Sequence, residues 1–283
     1  MKTNKLAEQI GDIKSIQNAA EPVQKLVRET IRGEIKNFLH GTWLGHPVHP
    51  VLTDIPVGAW TAALFYDMAG EERAADIAIG VGLAGALGSA VTGLTDWSET
   101  DDRARSIGLI HGLMNVVATG LYTASLLMRK SKRSRQGAVA LSTLGYATAF
   151  ASAYLGGHLV FAEQIGVDHT ATADQKKPET FTRAMKADDL KENKPAKAVV
   201  DGVSVLLVRR GDDIFGITET CPHMGGPLSE GKLVDGAIEC PWHASQFRME
   251  DGAVVNGPSA YAARCFDVRV RGGYIEVRAA RRQ

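Results

Sequence analysis

Four long apolar stretches fill the first half of the chain, about Val51–Ala69, Ala74–Leu94, Ile107–Met128 and Gly137–Ala162. Each is near the ~20 residues that carry a helix across bilayer hydrocarbon. Short polar segments, Gly70–Arg73, Thr95–Ser106 and Arg129–Gln136, lie between them. No stretch has a polar face along its full length, as a helix of a soluble bundle would. Small residues recur at Gly80, Ala84, Gly88 and Thr92, a spacing that lets membrane helices approach closely. The pattern predicts a four-helix transmembrane domain over residues 41–165. Ahead of it, Leu6, Ile10, Ile13 and Ile16, and then Leu26, Ile31, Ile35 and Leu39 after Pro22, recur at helical spacing. Residues 1–40 are therefore expected to be amphipathic helix, lying on a membrane surface or packed on a neighbouring domain. They contain no apolar signal-peptide core.

The pattern changes after residue 165. Residues 166–180 are polar and include Pro178, which predicts a linker, with His169 solvated within it. From 181 to 283 the apolar runs are short and β-branched. Asp201-Gly202, Gly211-Asp212, Asp235-Gly236, Asp251-Gly252 and Gly272-Gly273 punctuate them, the dipeptides of tight hairpins. The expected fold class is multidomain: an all-α four-helix transmembrane bundle followed by a small all-β domain.

Composition sharpens this picture in two ways. Lys+Arg and Asp+Glu are equal, at 32 each, so a nucleic-acid partner attracted by charge is not expected. Three cysteines make no disulfide framework.

Two of those cysteines stand in Cys221-Pro-His223-Met-Gly-Gly-Pro and Cys240-Pro-Trp-His243-Ala-Ser, with sixteen residues between His223 and Cys240. Each half offers one thiolate and one imidazole. Two Cys and two His can close a tetrahedral zinc site. They are also the ligand set of a Rieske [2Fe–2S] centre, in which two histidines replace two cysteines on one iron. Zinc sites usually pair Cys with Cys and His with His. A Cys-x-His pair matched to Cys-x-x-His, both in Pro/Gly-rich loops, fits the two-iron cluster better.

These residues give 181–283 a resemblance to Rieske ferredoxin domains. The resemblance implies that Cys221 and Cys240 bind one iron and His223 and His243 the other. It also likens Gly257-Pro258 to the family's proline loop beside the cluster; an ordinary hairpin turn is the other reading of Pro258. High-potential respiratory members carry a cysteine at the positions of Gly226 and Trp242, and hydroxyl donors at those of Ser245 and Phe247. Here Ser245 keeps one donor and Phe247 has lost the other. Hydrogen bonds to cluster sulfur raise the potential, so a value in the lower half of the Rieske range is expected. Cys265, in a predicted strand, is expected to be a small buried apolar residue.

The first apolar stretch opens with Gly45-His46-Pro-Val-His49-Pro and continues through Asp54-Ile-Pro56. This resembles a family of uncharacterised four-helix bacterial membrane domains with a Gly-His-Pro-x-His-Pro signature, and implies a multi-pass protein of a bacterial cell membrane. With four spans, His46, His49, His111 and His158 fall in one layer with Asp54, on the side that carries both the N-terminus and the Rieske domain. Ionisable groups at membrane depth read as functional. Three chemistries are open to this layer: haem b (with His111 and His158 favoured), a quinone site using Asp54, or a metal on His46, His49, His111 and Asp54. Against them stands a structural role, imidazoles bonding backbone carbonyls left open by Pro47, Pro50 and Pro56. Arg129, Lys130, Lys132, Arg133 and Arg135 make one loop basic, which by the positive-inside rule would place it in the cytoplasm. Arg32, Lys36, Arg103, Arg105, Lys176 and Lys177 balance it at the other ends. Because an exported cluster would have to cross already folded, a cytoplasmic Rieske domain is favoured.

The expected function is a membrane-anchored one-electron carrier, its partners membrane lipid and redox proteins or a quinone. A quinol- or haem-linked membrane oxidoreductase is the alternative, and an iron–sulfur redox sensor is the alternative of another class. About forty residues follow His243, too few for the mononuclear iron domain of a Rieske oxygenase, so a catalytic oxygenase subunit is not expected.

Overall fold

The structure, a computed structural model, describes residues 4–130, 134–171 and 177–280. Lys132, Arg133 and Lys176 lie outside the described residues. The chain divides into two compact units, Met1–Ile35 with Pro47–Ile165, and Lys36–His46 with Gly166–Gln283.

The first unit is helical. Helices α1 (Asn4–Gly11) and α2 (Lys14–Thr30) open it; α3 (Gly33–His40) belongs from Lys36 onward to the second unit. Four long helices of the first unit follow: α4 (Val48–Ala69), α5 (Glu72–Trp97), α6 (Asp102–Met128) and α7 (Arg135–Phe161). Among the described residues, three helices, α5, α6 and α7, are long and apolar enough to cross a membrane. The fourth long helix, α4, carries Asp54, Pro56 and Asp67 within its 22 residues. The expected count of four is therefore met by long helices, and by three of them on apolarity. The amphipathic start packs on this unit: Ala7 lies against Ile107 and Leu155. The Gln24 amide donates to the carbonyls of Trp97 at 2.7 Å and Thr100 at 2.9 Å.

Packing in the long helices is inverted relative to a soluble bundle. Gly82, Gly85, Ser89, Thr92, Ser125, Ser142 and Ser152 are buried, while Phe65, Leu87, Val116, Leu127 and Phe150 are exposed. The buried hydroxyls bond to helix carbonyls, as Ser89 Oγ does to Gly85 O at 3.0 Å and Thr92 Oγ1 to Gly88 O at 3.0 Å. Small residues inside and large apolar ones outside suit lipid as solvent, because there the helices gain from close approach rather than from hiding hydrocarbon.

The unit is also a duplication. Buried Pro56, Trp60 and Ala63 of α4 recur as buried Ala118, Tyr122 and Ser125 of α6, at a constant offset of 62. Buried Ala75, Ile79, Gly82, Ser89, Thr92 and Thr95 of α5 recur in α7 as Ala138, Ser142, Gly145, Ser152, Leu155 and His158, at an offset of 63. The equivalent Trp60 and Tyr122 stack on each other with ring centroids 4.1 Å apart. Each rests on an equivalent glycine: a Cβ on Gly82 would collide with the Trp60 indole nitrogen, and one on Gly145 would come within 3.1 Å of the Tyr122 ring. Asp67 and its equivalent Arg129 meet as a buried ion pair, Nη1 to Oδ1 2.7 Å. Asp76 and Ser142 also contact Arg129, and Arg135 reaches Asp76 at 3.1 Å.

The second unit is β. Strands β1 (Thr182–Lys186), β2 (Ala196–Val200), β3 (Val203–Arg210), β4 (Asp213–Thr218), β9 (Cys265–Arg271) and β10 (Tyr274–Ala279) form a six-stranded antiparallel sheet in the order β1-β10-β9-β4-β3-β2. A smaller sheet orders β5 (Lys232–Val234), β6 (Ala237–Glu239), β7 (Gln246–Arg248) and β8 (Val254–Asn256) in sequence. Alternate residues of β3 feed two cores: Val203, Val205 and Leu207 one, Leu206 and Val208 the other. The second core includes Cys221, Cys240 and Phe247. The expected turns are present, with Asp201-Gly202, Asp235-Gly236 and Gly272-Gly273 all at positive φ as a two-residue hairpin demands.

Candidate metal centre

Two loops of the β unit carry the four expected ligands. The first leaves β4 and bears Cys221 and His223; the second joins β6 to β7 and bears Cys240 and His243. They are built alike. The Cys221 N–H donates to Gly226 O at 2.8 Å and the Gly225 N–H returns to Cys221 O at 2.9 Å. Likewise the Cys240 N–H donates to Ser245 O at 2.8 Å and the Ala244 N–H to Cys240 O at 3.1 Å. Each loop closes on its own cysteine and turns the following imidazole towards the other loop. The rings of His223 and His243 lie edge to face with centroids 5.0 Å apart.

Both cysteines are buried and their sulfurs are in hydrogen-bond contact. The Cys240 thiol is pulled down to about 6, first by the hydrogen bond from Cys221, then by the backbone N–H groups of Trp242 and His243. The same sharing raises Cys221. His223 is held well below the ordinary imidazole range by burial first, then by its basic neighbours His243, His40, His169 and Lys36. Its imidazole is thus neutral, and its buried Nδ1 meets no hydrogen-bond partner. A bare nitrogen, two sulfurs placed to share charge, and loops whose N–H groups face them fit a cluster that needs two Cys and two His. Space is matched closely as well, since a Cβ on Gly226 would come within 2.9 Å of Cys240 Sγ. Among the described residues, no three His, Cys, Asp or Glu side chains gather around one ion position.

Ser245 is fully buried, and its Oγ accepts the Ser259 N–H at 3.0 Å, which leaves its own proton to donate. Phe247 is fully buried in the core. Pro258 lies in the buried stretch 257–260. Cys265 is half-buried, and burial pushes its thiol up to about 11.

Sequence reasoning missed two segments that dress this site. Asn37 Oδ1 accepts the Gly257 N–H at 2.8 Å, and His40 is buried beside Gly257. His169, expected to be solvated, is half-buried, with its N–H donating to Pro222 O at 3.0 Å. The Tyr261 hydroxyl holds Gly166 O at 2.9 Å.

A Rieske [2Fe–2S] domain profile matches residues 180–267. The anthranilate 1,2-dioxygenase ferredoxin subunit of Burkholderia cepacia is 32% identical over 90 residues, covering 32% of this chain and 83% of that protein. The chain belongs to the Rieske [2Fe–2S] family. A second profile, predicted membrane protein (DUF2231), matches residues 45–169. Human apoptosis-inducing factor 3 is 27% identical over 124 residues, and the chain spans only 20% of its length. Among solved structures, the ferredoxin of carbazole 1,9a-dioxygenase from Nocardioides aromaticivorans IC177 is 34% identical, covering 36% of this chain and all of that one, with TM-score 0.35. Rieske membership implies a [2Fe–2S] cluster, and the Rieske relatives include ferredoxin-type electron carriers.

The membrane histidines are placed differently from one another. His49 Nδ1 donates to Ser89 O at 2.9 Å, and His111 Nδ1 to Ser152 O at 2.9 Å. His158 is buried with Nε2 3.6 Å from Glu163. Asp54 is exposed on α4, and His46 belongs to the β unit. The carbonyls bonded by His49 and His111 come from α5 and α7 rather than from backbone opened by prolines. The signal that would have singled out these two histidines is the repeat, which sequence reasoning did not use.

Proposed function

We propose that this chain is a membrane-anchored one-electron carrier, a Rieske ferredoxin module (about 181–283) on a helical membrane part (about 41–165). The observation that carries the reading is the matched pair of ligand loops, closed on buried Cys221 and Cys240 and turning His223 and His243 together. In this reading the two cysteines hold one iron and the two histidines the other. The bound cluster supplies reversible one-electron transfer. Burial excludes water from the sulfurs, Ser245 offers them a hydroxyl proton, Phe247 offers none, and the Pro258 loop covers one side. The potential then falls in the lower half of the Rieske range. A ferredoxin subunit of a dioxygenase among the relatives makes protein oxidoreductases the fitting donor and acceptor.

Arg129 and Arg135, two of the five cations in the basic loop, are committed to Asp67 and Asp76. That weakens the positive-inside case for that loop and supports a cytoplasmic cluster. A second redox station among the bundle histidines, haem or quinone, would make the chain part of a quinol- or haem-linked oxidoreductase. The test is anaerobic preparation with iron and acid-labile sulfide analysis, and electron paramagnetic resonance of the dithionite-reduced protein. A Rieske signal matched to the iron content is expected. Zinc in the site, or iron without sulfide, would refute the carrier.

A further inference from the structure

We propose that His49 and His111, equivalent residues of the duplicated helix hairpin, are the two axial ligands of a b-type haem in the helical unit. The inference deepens the second-station reading above and rests on it. Five observations converge. The two histidines occupy the same repeat position, 62 residues apart. Each donates its Nδ1 proton to the carbonyl of an equivalent serine, Ser89 or Ser152, at the same 2.9 Å. Each ring lies on an equivalent glycine, where a Cβ would come within 2.7 Å of His49 Cε1 at Gly93 and within 3.0 Å of His111 Cε1 at Gly156. The two imidazoles lie within electrostatic reach of each other. Finally, the Asn115 amide donates to His111 Nε2 at 3.2 Å, so that nitrogen is the one carrying the lone pair.

An imidazole whose Nδ1–H is anchored on a carbonyl has its tautomer set and Nε2 exposed as a base, the usual preparation of a metal-ligating histidine. Two bases suit a metal that asks the protein for only two ligands. Bare zinc or copper requires three or four, and among the described residues no third His, Cys, Asp or Glu joins them. Haem iron takes four nitrogens from its porphyrin and two from the chain. A quinone, whose oxygens accept hydrogen bonds, would want donors at Nε2 instead. His158, whose Nε2 faces Glu163, has Thr95 rather than a histidine at its repeat equivalent.

The test is made on the full chain, produced in haem-sufficient cells and solubilised in detergent. The expected result is stoichiometric haem with a low-spin, bis-imidazole spectrum. His49→Gly and His111→Gly should each abolish the low-spin bands, and added imidazole should restore them. His158→Ala should leave them intact, and Asn115→Ala, by freeing Nε2, should tighten binding in a haemin titration. The Rieske resonance serves as an independent readout: its retention with altered haem bands assigns the change to the bundle, whereas its absence in the unsubstituted chain would instead refute the carrier reading. No haem in the unsubstituted chain even after haemin titration, quinone in its place, or low-spin haem surviving in both glycine variants would overturn the proposal.

Discussion

Val116 in α6 and Val270 in β9 are both exposed valines, 68% and 54% accessible, yet they stand in opposite settings. Around Val116 the helices bury glycine and serine and turn Leu113, Val117 and Leu127 outward. Around Val270 the strands bury Val205, Leu207, Ile275 and Val277 and turn charges outward, with Arg269 and Arg271 beside it. One unit hides its small polar residues, the other its large apolar ones. The difference teaches that exposure has no meaning until the solvent is named: water drives large side chains inward, and lipid does not.

The largest expected effect lies at the metal centre. Cys221→Ser removes one of the two thiolates that the proposed cluster requires, and should abolish the Rieske resonance and the acid-labile sulfide together. Next is the helical unit's own buried charge. Asp67→Asn leaves Arg129, whose side chain is 1% exposed, short of its closest carboxylate, and breaking a buried pair costs about 3–5 kcal/mol. A marked fall in thermal stability in detergent is expected, and Arg129→Met added to it should recover much of the loss, since removing both charges leaves none stranded.

One substitution made in both units tests the comparison itself. Val116→Arg sets a charge near the middle of α6, which disfavours membrane insertion by about 2.5–3.5 kcal/mol. Val270→Arg on a water-facing strand should change stability by no more than about 0.5 kcal/mol. An insertion assay of the helical part and a denaturation curve read by the cluster's visible absorbance measure the two. Equal tolerance at both sites would mean that water surrounds the helices. Smaller again, Ser245→Ala removes the hydroxyl proton that the proposed reading directs at the cluster sulfurs. Its loss should lower the potential by about 60 mV, the one-electron equivalent of about 1.4 kcal/mol, in a reductive titration.

How much of this was legible depended on the range of each signal. Hairpin turns are local, so Asp201-Gly202 and Gly272-Gly273 announced themselves through the positive φ they need. The two candidate loops stood out equally, because Cys and His are rare and closely spaced there, and the structure brings His223 and His243 together. The duplication was present as well, in His49 with His111 and Gly93 with Gly156. It was diluted because lipid-facing positions accept any large apolar residue, which leaves few identities along each helix. The dressing of the centre by Asn37, His40 and His169 was not legible. Asn37 meets Gly257 across 220 residues, and no local pattern encodes such a contact. The roles of Arg129 and Arg135 were hidden in the same way, since a loop cation and one locked onto Asp67 look identical in sequence.

The smallest effect compares the two ligand loops. In each, the residue four after the cysteine returns its N–H to the cysteine carbonyl, and in each it sits at positive φ, Gly225 at 80° and Ala244 at 59°. Only one of the two is glycine. A side chain in the left-handed region costs about 1–2 kcal/mol, while glycine there costs the unfolded chain's extra freedom, about 0.5–1 kcal/mol. Ala244→Gly should therefore stabilise the loop by about 0.5–1 kcal/mol, seen as a higher guanidinium midpoint for loss of the cluster's absorbance. Gly225→Ala should do the reverse by a similar amount, with no clash to confuse the reading, because nothing lies within 4 Å of a Cβ built there. If both substitutions move the midpoint the same way, the loops share their hydrogen bonds without sharing their strain.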